Sequence, residues 1–180
     1  MRNGRSSQAM IRKKAEKIKL LLSDVDGVLT DTGVYYSDAG EAMKRFSIRD
    51  GMGVALLREL ACVETGIITG ELSGSIRKRA EKLQITELHL GIKEKAAALL
   101  EILGAKGLSS EEVAFIGDDV NDIGIINSVG LSACPNDAYP SVKYEADIVC
   151  RAKGGHGAFR EFAEIIISAR VNNRKASPEK

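Results

Sequence analysis

The run Lys19-Leu20-Leu21-Leu22-Ser23 leads straight into Asp24-Val25-Asp26-Gly27-Val28-Leu29-Thr30. Unbroken apolar side chains fit a short strand buried on both faces, as in a parallel sheet. Two carboxylates and a glycine directly after it mark the strand's carboxyl end and a turn. In open parallel sheets ligands bind at that end. The Asp-x-Asp pair alone decides little, because acids at strand ends are often turn formers.

Downstream the chain repeats the pattern. Val34-Tyr35-Tyr36, the turn residues Ser37-Asp38-Ala39-Gly40 and the stretch Glu41 to Ser47 predict a β-hairpin. Val54, Leu57 and Leu60 recur at helical spacing, so Asp50 to Leu60 reads as a helix. A strand over Glu64 to Thr69, a helix over Ser73 to Leu83 and a short strand over Glu87 to Leu90 follow. Next come a helix from Lys93 stopped by Gly104 and Gly107, and a buried strand Val113 to Ile116 running into Gly117-Asp118-Asp119. A helix over Asn121 to Val129, strands at Leu131 to Ala133 and Asp147 to Val149, and a closing helix Gly157 to Arg170 complete the order. Strands alternating with helices imply an α/β fold with a doubly wound parallel sheet, here with a protruding hairpin.

Four pieces of chemistry sit at the predicted strand ends. Asp24 and Asp26 can divide two tasks, one attacking phosphorus or binding a metal, the other handling a proton. Gly117-Asp118-Asp119-Val120-Asn121-Asp122 adds three carboxylates within six residues. Bringing both clusters together concentrates negative charge, which a hard divalent cation resolves; carboxylate, carbonyl and water ligands suit Mg2+. The plainer alternative is a capped helix start, with Asp119 or Asp122 serving the first amides. The hydroxyl of Thr69, before Gly70, can donate to a phosphoryl oxygen, or Thr69-Gly70 is a simple turn. Lys95 can neutralise phosphate and steady a nucleophilic carboxylate, or it is a surface lysine.

In this order the pieces resemble the haloacid dehalogenase superfamily: Asp24-Val25-Asp26-Gly27, Ile68-Thr69-Gly70, Lys95, and Gly117-Asp118-Asp119 with Asp122. The resemblance spans about residues 18–165. It implies a Rossmann-like core in which Asp24 attacks phosphorus and Asp26 protonates the leaving oxygen and then activates water. It further implies that Asp24, the backbone carbonyl of Asp26, and Asp118 hold magnesium, with Asp119 and Asp122 ordering bound water or the lysine. A closer similarity is to the capless phosphatases of 3-deoxy-ulosonic acid phosphates. It rests on Asp24 to Asp31, on the hairpin ending Phe46-Ser47-Ile48-Arg49-Asp50-Gly51, and on Gly154-Gly155-His156-Gly157-Ala158-Phe159-Arg160-Glu161. That group implies an eight-carbon sugar-acid phosphate substrate, no separate cap domain, and a homotetramer assembled through the hairpins. Thr30, Gly70, Glu71, Arg79, Lys82, His156 and Arg160 become candidate substrate contacts, the last two reaching a neighbour's site. Glu71 stands where many of these phosphatases carry arginine. Together with Arg79 and Lys82, it makes a nine-carbon ulosonic acid 9-phosphate the alternative substrate, unless these residues only form a charged helix face.

The rest of the composition narrows the field. The 180 residues fit one domain, expected over 18–170, with a basic flexible leader at 1–17 and a flexible tail at 171–180. A net charge of +1 gives no field for nucleic acid, and no apolar stretch is long enough for a membrane. Cys62, Cys134 and Cys150 are odd in number and widely spaced, which fits buried structural thiols in a reducing, cytoplasmic setting. His89 reads as a strand residue. Two rival classes remain, a phosphoacceptor signalling domain and a non-catalytic oligomerisation module. The acid two residues beyond Asp24 argues against the first, and the intact set Asp24, Asp26, Lys95 and Asp118 against the second.

Overall fold

The computed structural model describes residues 7–176. Strand β1 (Leu20–Ser23) is the axis of a six-stranded sheet. Its companions are β4 (Glu64–Thr69), β5 (Glu87–Leu90), β6 (Val113–Ile116), β7 (Leu131–Cys134) and β8 (Ile148–Val149). They lie in the order β5-β4-β1-β6-β7-β8, every neighbouring pair parallel. The chain builds one side of β1 and then crosses to the other, so the reversal of strand order falls at β1. The carboxyl ends of β1, β4 and β6 therefore frame one crevice.

The side-chain period of a strand splits the core into two layers. Leu21 packs toward Val54, Phe159, Phe162 and Ile166, whereas Leu20 and Leu22 pack toward Leu99, Ile102, Ile125 and Val142. The first layer is covered by helices α1 (Gln8–Lys17), α2 (Ile48–Leu56), α3 (Gly74–Leu83) and α7 (Ala158–Ala176). The second is covered by α4 (Lys95–Lys106), α5 (Ile123–Ile126) and α6 (Pro140–Glu145). Strands β2 (Thr30–Ser37) and β3 (Gly40–Phe46) form the expected hairpin as a separate antiparallel pair. Among the described residues no further domain is inserted, and no helix is long and apolar enough to cross a membrane.

Several sequence expectations require correction. From Gln8 the expected flexible leader is a helix: Ser7 caps it, Ala15 is buried, and Lys14 reaches Asp147 at 2.7 Å. Likewise α7 runs through the expected tail to Ala176; the remaining terminal residues lie outside the described residues. Helix α4 passes Gly104, whose Cβ position is open, and ends only at Gly107, where φ reaches +62°. The helix expected over Asn121 to Val129 is a 3-10 turn (Val120–Asp122) plus the short α5. Helix α2 stops at Leu56 and continues as a single π turn, Leu57–Ala61. Cys62 ends that turn in the left-handed region and is exposed, unlike the buried Cys134 and Cys150. Helix α6 escaped the sequence reading, although Pro140 stands at its first position, where proline's missing N–H costs nothing.

Candidate active site

Strand β1 ends on Ser23, and the amide of Asp24 still bonds to the carbonyl of Ile116 on β6, at 3.0 Å. That last rung fixes Asp24 over the crevice. The chain then winds tightly, the Val25 carbonyl accepting from the amides of Val28, Leu29 and Thr30. Gly27 takes φ +80°, and a Cβ there would lie 1.9 Å from Asp118 Oδ2. Only glycine lets the β1 loop close against the β6 loop, which explains its place in the motif.

Lys95, expected as a candidate surface lysine in the plainer reading, is 1% exposed. Its ammonium lies 2.9 Å from Asp24 Oδ2 and 2.6 Å from Asp122 Oδ1. Burial works against that charge, but Asp24 and Asp122 outweigh it and hold the lysine pKa above its ordinary range. Asp122 is fully buried, and its other oxygen accepts from the amides of Asp118 at 3.0 Å and Asp119 at 3.5 Å. Both oxygens are thus engaged, and Asp122 orients Lys95 and the β6 loop. Asp119 caps the 3-10 turn, accepting from the amide of Val120 at 2.6 Å. The helix-start reading therefore accounts for Asp119, and partly for Asp122, but not for Asp118.

Asp118 and Asp24 remain under-compensated. Burial, then the Asp122 charge, pushes Asp24 up to about 7, with Lys95 opposing. Burial, then the charges of Asp24, Asp122 and Asp119, pushes Asp118 up to about 8. Carboxylate oxygens of Asp24, Asp118 and Asp122 gather within 4.8 Å of one another. Buried carboxylates facing one another with a single lysine between them are a donor set for a hard divalent cation. The residues fit such an ion, with Asp24 and Asp118 the carboxylates that would hold it.

The remaining candidates divide. Thr69, 2% exposed at the end of β4, accepts from the amide of Glu71 at 3.2 Å. Gly70 and Glu71 are exposed beside it, and Glu71 lines a cavity of about 450 Å³ with Tyr36, Glu41, Leu72 and Ser73. Thr30 is fully buried, so it is not a substrate contact; its hydroxyl donates to Asp26 Oδ1 at 3.1 Å. Arg79 is also spoken for, donating to the Ser47 carbonyl at 2.8 Å beneath the ring of Phe46. Lys82 sits at the far end of α3, about 12 Å of helix rise from Gly74. Neither basic residue joins Glu71 within the chain. Within its own chain His156 Nε2 accepts from Arg45 at 3.1 Å, and Arg160 pairs with Glu164 at 2.7 Å.

Two features escaped the sequence reading. The segment Gly154-Gly155 packs directly on the β1 loop: a Cβ on Gly154 would meet the Gly27 carbonyl at 1.9 Å, and the Gly155 amide bonds Val28 at 2.8 Å. Asp50 anchors that segment by capping α7 through the amides of Gly157 and Arg160. The other is Lys44 of β3, whose ammonium lies 2.8 Å from both oxygens of Asp26. A lysine on an otherwise exposed hairpin carries no sequence signal for such a role.

Comparison with known proteins follows the same lines. A family model described as haloacid dehalogenase-like hydrolase matches residues 70–161. The chain is 39% identical over 163 residues to 3-deoxy-D-manno-octulosonate 8-phosphate phosphatase of Escherichia coli, covering 89% of this chain and 85% of the relative. A cobalt-bound structure of the corresponding Haemophilus influenzae phosphatase superposes with TM-score 0.85 at 36% identity, covering 93% of this chain and 96% of that one. The Moraxella catarrhalis enzyme, solved with a magnesium ion, a phosphate ion and the sugar acid, gives TM-score 0.86 at 30% identity, covering 94% and 98%.

Proposed function

This chain belongs to the haloacid dehalogenase-like hydrolases, and we propose that it hydrolyses 3-deoxy-D-manno-octulosonate 8-phosphate with the help of Mg2+. The observation that carries the reading is the buried Asp24–Lys95–Asp122 arrangement at the carboxyl end of β1, with Asp26 two residues beyond the nucleophile. The names of the relatives supply the substrate.

In this mechanism an oxygen of Asp24 attacks phosphorus as the bond to the sugar oxygen breaks. Asp26 gives that oxygen its proton. Asp26 then takes a proton from water, which attacks the aspartyl phosphate and regenerates Asp24. Lys95 offsets the charge on Asp24 and the incoming phosphate, and Thr69 with the amides after it offers donors to phosphoryl oxygens. A divalent cation, held by Asp24, Asp118 and the Asp26 carbonyl, supplies the positive charge that lets an anionic nucleophile meet an anionic ester.

A nine-carbon ulosonic acid 9-phosphate is the second reading, supported by the exposed carboxylate of Glu71 at the cavity beside the site. It lacks the basic partners Arg79 and Lys82. The homotetramer is likewise a proposal; it is supported by the exposed apolar side chains on and beside the hairpin, Tyr35, Tyr36, Met43 and Ile48, from 56% to 84% exposed. Sedimentation of wild type and Tyr36→Asp tests it. The functional test is phosphate release from both ulosonic acid phosphates with Mg2+, using wild type, Asp24→Asn and Glu71→Arg. Preference of wild type for the eight-carbon ester, abolished in Asp24→Asn, is expected. A nine-carbon preference lost in Glu71→Arg selects the second reading, and no release from either ester overturns both.

A further inference from the structure

Lys44 projects from β3, a strand largely exposed to solvent, yet its side chain is only 2% exposed. The ammonium grips both oxygens of Asp26 at 2.8 Å, and Glu41 Oε2 stands 3.7 Å away. Glu41 in turn accepts from the hydroxyl of Ser73, in the loop between β4 and α3. Thr30 also donates to Asp26 Oδ1. Ser73, Glu41, Lys44 and Asp26 thus form a polar tie from the β4 loop, through the hairpin, to the β1 loop.

We propose that Lys44 is a positioning residue for Asp26, holding its carboxylate in the plane from which it serves the leaving oxygen, and that the hairpin is therefore part of the reaction machinery. This rests on the phosphatase reading above. Asp26 is 30% exposed and follows directly on the turn at β1, so its carboxylate would otherwise rotate freely. A two-oxygen grip by Lys44 and a hydroxyl from Thr30 remove that freedom, and catalytic rates fall steeply when a reacting group is misplaced by an ångström. Lys44 must yield one oxygen when substrate arrives. The ammonium has three donors, and Glu41 offers a neighbouring acceptor, so it can shift without leaving the site. In the step it assists, Asp26 carries, on the oxygen that Lys44 has released, the proton it took from the attacking water of the preceding turnover. The electron pair of the breaking P–O bond stays on the sugar oxygen, which receives that proton. Lys44 neither gains nor loses one.

The test uses two esters that differ in their need for that proton. p-Nitrophenolate departs with little acid assistance, whereas the alkoxide of glycerol phosphate requires it. With Mg2+, Lys44→Met is expected to lower kcat/KM for glycerol phosphate by roughly 10- to 100-fold and for p-nitrophenyl phosphate by less than about 3-fold. Lys44→Arg, which keeps a two-oxygen grip, is expected to recover much of the loss. Thermal melts of both variants establish that they are folded. Equal losses on the two esters overturn the proposal, as does a change confined to KM for the ulosonic acid phosphate, which would make Lys44 a substrate contact. Wild type that cleaves both simple esters but neither ulosonic acid phosphate refutes the substrate reading while the Lys44 comparison still decides this one. Wild type inert toward every ester overturns the phosphatase reading and the role of Lys44 with it.

Discussion

Removing divalent cations should make this protein progressively less stable as pH rises, the reverse of the usual behaviour of paired carboxylates. Asp24 titrates near 7 and Asp118 near 8 in the folded, metal-free chain, against 3.8 for a free side chain. The folded state therefore binds protons more tightly than the unfolded state. Stability from those protons is full below pH about 4 and drains away as pH climbs through the folded pKa values. For Asp24 the difference amounts to about 4 kcal/mol at about 1.4 kcal/mol per pH unit. Asp118 shares the repulsion with Asp24 and is less enclosed, so the pair together contributes roughly 4–6 kcal/mol. At about 2–4 °C per kcal/mol for a chain of this size, the melting temperature in EDTA should fall by on the order of 10 °C between pH 5 and pH 8. A bound cation favours the ionised pair, so Mg2+ should raise the melting temperature more at pH 8 than at pH 5. Asp118→Asn removes one of the two charges and should flatten the slope in EDTA. The assay is thermal unfolding across that range, in EDTA and in Mg2+, for wild type and variant. A wild-type slope in EDTA equal to that of Asp118→Asn, or a magnesium effect independent of pH, would refute the electrostatic argument.

Other substitutions probe separate links. Lys95→Met leaves Asp24 and Asp122 buried without their shared cation and should cost about 3–5 kcal/mol in urea unfolding at pH 8. The loss should shrink at pH 5, where Asp24 can take up a proton. Gly27→Ala puts a methyl group 1.9 Å from Asp118 Oδ2 at a φ of +80°, with an expected cost of about 1–3 kcal/mol. It should also weaken Mg2+ binding measured by calorimetry. Asp24→Asn should abolish phosphate release yet raise the metal-free melting temperature at pH 8, because it deletes the buried charge. Loss of both activity and stability would mean that Asp24 serves the fold as well.

The sequence by itself determined the parallel sheet and the residues at its working end. Leu20-Leu21-Leu22 read as a strand buried on both faces, and the periodicities that followed gave the alternation around it. Asp24, Thr69, Lys95 and Asp118 were legible because each lies next to the strand or helix end that carries it, where local order is enough. Glycines were less legible as stops: Gly104 and Gly107 look alike in sequence, and only the left-handed backbone at 107 ends the helix. The basic N-terminus read as solvated charge, since its partner Asp147 lies 133 residues away from Lys14. Distance along the chain likewise hid the seating of Gly154 on Gly27 and the capping of α7 by Asp50. For Arg79, Lys82 and Glu71, the family resemblance suggested one group of substrate contacts, but packing turned Arg79 to Ser47 and left Lys82 at the far end of the helix. Lys44 reaches Asp26 only because the hairpin folds back over the β1 loop. Local signals report on groups that their own element positions; contacts between elements far apart in the chain depend on packing, and these the tertiary structure alone decided.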